Sequence, residues 1–165
     1  MRSNQALFLI LSPLVLLAMA WPAWAEIRLA PEQACKLLHG WSFKASQYAR
    51  KGDWHVCEAA KNLTNGELPN TLNYQVVGAK DIVQELRLEL SVDEPRKQGR
   101  AKALMSETAM HLALKLGAPE PPDGLEEAIR RGSEGRWTAG RAIITLVKHS
   151  VPDPPRAYKL ILTAR

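Results

Sequence analysis

Catalytic signatures are missing from this sequence. It has no G-x-x-x-x-G-K loop to cradle phosphates, no S-x-x-K pair, and no carboxylate pair that stands out for glycosidic work. The nearest thing to a nucleophile elbow is R-G-S-E-G around Ser133, where Arg131 takes the place of the first glycine. A helix pattern precedes it and a strand pattern follows, the reverse of the strand–turn–helix that presents such a serine, so it reads as a turn. Neither C-x-x-C nor H-x-x-x-H occurs, and His39, His55, His111 and His149 stand in no metal spacing. Glu107 and His111, four apart on a helix, fit a surface ion pair better than a ligand pair. There is no internal repeat, no low-complexity tract beyond proline-rich turns, and no nucleic-acid motif. We therefore expect no catalytic residue, no metal, no cofactor and no nucleic-acid partner.

What is present begins with an export signal. Arg2 is followed by the apolar run A-L-F-L-I-L-S-P-L-V-L-L-A-M-A, then by A-W-A at Ala23–Ala25. This is the charged, apolar and small-residue layout of a cleaved secretory leader. A retained anchor is the rival, since the run nearly reaches the roughly 20 residues that span a bilayer. Pro13, Pro22 and the small-residue exit favour cleavage after Ala25, leaving one domain over 26–165 that meets the membrane only through its leader. Loss of Arg2 lowers the formal charge from +5 to +4, a weak bias toward anionic partners.

Cysteine is scarce: only Cys35 and Cys57. Cys35 follows P-E-Q-A rather than the apolar run, which argues against a lipid anchor. In an oxidising compartment two cysteines most simply form one disulfide. Two buried free thiols are the alternative, and Cys57 near His55 would be a nucleophile only if unpaired.

Along the chain, A-P-E-Q-A-C-K-L-L-H-G predicts a short helix with Pro31 in its first turn and Gly40 as its stop. Trp41, Phe43 and Ala45 alternate, as do Trp54 and Val56, around the turn K-G-D, which predicts a hairpin. Leu72, Tyr74 and Val76 alternate, and so do Leu86, Leu88, Leu90 and Val92, with Glu85, Arg87, Glu89 and Ser91 on the opposite face. This is a pair of strands wet on one side, joined near Gly78–Asp81. From Arg96 to Leu116 the period becomes helical, with Ala101, Met105, Thr108, Leu112 and Leu116 on one stripe and Gly117 as the stop. A second helix is expected from the N-cap Asp123, with Glu126 completing a capping box and Gly132 closing it. Two strands end the chain: R-A-I-I-T-L-V-K-H, apolar on both faces and so expected to be central, and R-A-Y-K-L-I-L-T-A. The expected fold is α+β, a mostly antiparallel sheet of about five to six strands with a long helix and two short ones on one face.

The cysteine in the first short helix, W-H-V-C at Trp54–Cys57, the hairpin, the long helix and P-D-G-L-E-E-A-I together resemble a family of uncharacterised exported proteins from rhizobia and related proteobacteria. The resemblance implies export and pairing of the two cysteines, and no particular activity.

Two surfaces are candidates for binding. Trp41 and Trp54, near Phe43, Tyr48, Lys44, Arg50 and Lys51, would anchor a partner if exposed and would be core around the disulfide if packed. Arg96, Lys97, Arg100 and Lys102 crowd the start of the long helix, where cations oppose the helix dipole and Asp93 and Glu94 offset them in part. That end is a candidate anion site, and a solvated charged face is the alternative. The N-L-T sequon at Asn62 has no use in a bacterial envelope. We expect a periplasmic or secreted binding protein acting on an envelope protein or an anionic envelope polymer, inhibitor and immunity types included. The alternative is a small envelope enzyme with a thiol or carboxylate site that no motif reveals.

Overall fold

Period-two alternation becomes a seven-stranded, wholly antiparallel sheet in the computed structural model, which describes residues 27, 29–41, 43–65, 69–79, 82–150 and 158–165. The expected leader and the V-P-D-P-P connection lie outside the described residues. In chain order the elements are α1 (Pro31–Lys36), β1 (Ala49–Lys51), β2 (Trp54–Asn62), β3 (Thr71–Ala79), β4 (Ile82–Val92), α2 (Gln98–Lys115), α3 (Leu125–Arg131), β5 (Gly135–Ala139), β6 (Ala142–Ser150) and β7 (Tyr158–Ala164). The sheet runs β1-β2-β3-β4-β7-β6-β5. A four-strand meander, β1–β4, and a three-strand one, β5–β7, thus meet where β4 pairs antiparallel with β7, Leu88 opposite Leu162.

One face of this sheet is the core. Tyr74 opposes Leu88, Leu88 opposes Leu162, and Leu162 opposes Leu146, so one row crosses four strands with every member buried. Leu72, Leu90 and Leu160 form the next row. Burying each such leucine contributes about 1.5–3 kcal/mol. The helices cover this face. α2 turns Ala101, Met105, Thr108, Ala109, Leu112 and Ala113 inward, and α1 is tied down by the Tyr74 hydroxyl, which donates to the Ala34 carbonyl at 2.8 Å. Burial pushes the Tyr74 phenol well above the usual tyrosine range, keeping it a donor. Among the described residues no helix is long and apolar enough to cross a membrane.

Four expectations are corrected. The sheet has seven strands, the addition being β5, whose five residues begin only three positions after Gly132. The first arm of the early hairpin pairs as a strand only over β1, and 43–48 has no regular structure, meeting β2 through the Ser46 N–H bond to the Glu58 carbonyl at 2.7 Å. β6, apolar on both faces, lies second from the edge between β7 and β5, and β4 takes the middle. The N-cap of α3 is Gly124 at φ 77°, with no side-chain cap bond; the carbonyl of Asp123 instead accepts from Trp137 Nε1 at 2.9 Å. The Gly132 stop holds. Its N–H reaches Ile129 O and that of Ser133 reaches Ala128 O, a Schellman ending with Gly132 at φ 70°.

Candidate functional site

Cys35 on α1 and Cys57 on β2 are joined by a disulfide across a sequence separation of 22, and both sulfurs are buried. Closing that loop contributes about 3 kcal/mol in the chain-entropy model. No free cysteine remains, so Cys57 is not a nucleophile, and the His55 ring packs on Tyr48 at 5.1 Å instead. Among the described residues no group of three His, Cys, Asp or Glu side chains could hold a metal.

The aromatic residues separate. Trp41 is half-buried with its ring 4.9 Å from that of His111, and Phe43 is core. Burial beside Trp41, then the charge of Lys115, holds the His111 imidazole below its ordinary value, against a hydrogen bond that it donates to the Leu37 backbone, which raises it. Trp54 does face solvent, 48% exposed. Alternation places it with Val56 and Glu58 on the sheet face opposite the helices. His55 opposes Gly78 and Ala79 opposes Ile82, so Trp54, Ala79 and Ile82 stand level on three adjacent strands. Ile82 is 53% exposed. Val56 and Val77, directly opposed, extend the apolar patch by one row. Gly78 permits this corner: a Cβ there would sit 2.4 Å from the Ile82 carbonyl oxygen and 2.9 Å from the Tyr48 hydroxyl.

The four basic residues also divide. Arg96, Lys97 and Arg100 line one hollow of about 670 Å³ with Leu63, Thr64 and Asn65. Lys97 pairs with Glu94 at 3.0 Å, whereas Arg96 and Arg100 make no ion pair among the described residues. The helical turn Pro95–Lys97 and α2 both lack an acidic residue in their first turn. Lys102 lies elsewhere. Its Nζ donates to the Arg130 carbonyl at 3.1 Å and sits 5.5 Å from the centre of the Tyr158 ring. That hydrogen bond pins α2 to α3, and burial, then the charge of Lys148, lower the Lys102 pKa.

Over β2–β4 the rest of the open sheet face is mostly polar, whereas Val147 on β6 and Ile161 on β7, directly opposed, form a second, half-buried apolar row. Glu85 accepts from Arg87 at 3.0 Å and from Arg165 at 2.8 Å, Glu89 from Lys159 at 2.6 Å, and Glu58 from Gln75 at 2.9 Å. Ile82 and these sheet-face groups were not singled out from the sequence. The alternation that identified the wet face already contained Glu85, Arg87 and Glu89, but their cross-strand neighbours depend on register. No family model, curated protein or solved structure significantly matches the chain.

Proposed function

We propose that this is an exported, non-enzymatic binding protein that acts on another protein of the cell envelope through the apolar corner of its open sheet face. The leader motif supports export, and the Cys35–Cys57 disulfide is compatible with an oxidising compartment. The observation that carries the binding role is that Trp54 and Ile82, level across Ala79, are both about half exposed, whereas the apolar Val147 and Ile161 of the same face are more buried. An exposed tryptophan in an apolar patch is the type of side chain that dominates protein interfaces. An inhibitor or an immunity protein is a concrete form of this reading. A thiol enzyme gains no support, since both cysteines are in the disulfide.

The test is affinity capture from periplasmic extract with the tagged mature chain. The wild type and Leu114→Ser should retain the same envelope protein. The double variant Trp54→Ala/Ile82→Ser should bind it about 100-fold more weakly or worse. No retained protein, or equal retention by the double variant, contradicts the proposal.

A second reading rests on the hollow lined by Arg96, Lys97 and Arg100, where an anionic envelope polymer would find two guanidinium groups without an ion pair among the described residues.

A further inference from the structure

We infer that a second hollow, on the open sheet face over β2–β4, binds a neutral, hydroxyl-rich ligand, a segment of a saccharide chain. This site is separate from the corner at Trp54 and from the basic hollow, and it does not rest on either reading. Its volume is about 590 Å³, within the range of small-ligand sites, and Ser46, Glu58, Asn73, Gln75, Arg87 and Glu89 line it.

Register explains the shape. Glu58, Gln75 and Arg87 stand opposite one another in one cross-strand row, and Ala60, Asn73 and Glu89 in the row two residues along. Five of the six positions in this grid carry planar polar groups. The sixth, Ala60, is a methyl, and the missing side chain leaves the depression between its neighbours.

Charge then selects the ligand. Glu58, Glu85 and Glu89 are balanced by Arg87, Lys159 and Arg165, all on this face. With its carboxylates matched in number by cations, the hollow gives neither an anion nor a cation a clear advantage. A phosphate would meet Glu58 and Glu89, and an ammonium would meet Arg87.

Hydrogen-bonding capacity points the same way. Glu58 uses Oε1 toward Gln75 and Glu89 uses Oε1 toward Lys159, which fixes each carboxylate with its second oxygen unused among the described residues. Arg87 turns Nε and Nη2 to Glu85 and keeps Nη1. The Asn73 amide is half-buried and makes no hydrogen bond among the described residues. The hollow therefore offers fixed acceptors beside fixed donors. A hydroxyl is both donor and acceptor, so adjacent hydroxyls on a pyranose ring satisfy both sets at once. Tyr74 turns its ring to the opposite, core face, so no aromatic platform adds stacking. Affinity should accordingly be weak for one sugar unit and grow along a chain.

The test is nuclear magnetic resonance titration of the folded, disulfide-closed chain with three probes: a linear neutral gluco-oligosaccharide, an N-acetylglucosamine oligomer and an oligogalacturonate. The expected result is saturable shifts of backbone amides in β2–β4 with at least one neutral probe, unchanged in high salt. Ala60→Leu fills the depression without removing a polar group and should weaken binding about tenfold, as should Asn73→Ala. Unchanged thermal melting of both variants confirms that the fold is kept. No shift with either neutral probe, shifts with the oligogalacturonate alone, or wild-type affinity in Ala60→Leu would each overturn the inference.

Discussion

Asn70 is wholly buried, and its side chain is used at both ends. Its Oδ1 accepts from the backbone N–H groups of Asp93 at 2.8 Å and Glu94 at 2.7 Å, while its Nδ2 donates to the Glu94 carbonyl at 3.1 Å. It thus latches the end of β4 to the start of β3, next to the basic hollow. Asn70→Ala strands two part-buried donors and should lower stability by about 2 kcal/mol, read as a shift of the urea midpoint with an unchanged slope. His111 gives the molecule a pH dependence whose sign follows from its environment. Its folded pKa lies below the ordinary value of 6.5, so the unfolded chain takes up the proton first as pH falls. Its contribution is present above that value and is lost on acidification. His111→Gln should therefore lose less stability than the wild type between about pH 7 and pH 5 in paired thermal melts.

At the scale of elements, α2 and α3 treat charge in opposite ways. α3 ends in Arg130 and Arg131, both bonded to Glu127, which suits the helix dipole. Those arginines, the hydrogen bond from Arg130 first, hold the Glu127 carboxyl below the usual range. α2 instead starts beside three cations. Replacing Arg96, Lys97 and Arg100 by Gln removes repulsion at that end, although Lys97 gives up an exposed pair with Glu94 of the kind worth about 0–1 kcal/mol. Stability should hold, or rise by at most about 1 kcal/mol per charge. If the anionic-polymer reading is right, binding to an anionic polysaccharide should fall sharply and lose most of its salt dependence. Lys102 is left out of this triple variant because its bond to the Arg130 carbonyl is structural. That division was not legible in the sequence: all four cations fall within seven residues, and only the position of α3 shows that Lys102 is held by another helix.

Across the whole molecule, local periodicity carried most of what could be read in advance. The Leu86–Val92 alternation, the α2 stripe and the Gly117 and Gly132 stops depend on neighbours within a few residues and appear in the fold, whereas α1 ends at Lys36, before the expected stop at Gly40, which lies in the 3-10 turn His39–Trp41. What was missed depends on distant partners. β5 is five residues long, and its ladder to β6 defines it as a strand. β6 is apolar on both faces, yet it lies one strand from the edge because β4 and β7 join the two meanders at the centre. Trp41 and Trp54 looked equivalent, but His111 and the helical layer half-bury the first while the second faces out. The same topology puts the described helices on one face and leaves the other without a helical cover. The direct measurement is photo-crosslinking in living cells, with a photoreactive residue at Ile82 on the sheet face or at Leu114 on α2, both exposed apolar positions. A discrete adduct with an envelope protein from position 82, and none from position 114, is the predicted result. Adducts from position 114 alone, or from neither, would contradict the assignment of the sheet face as the working surface.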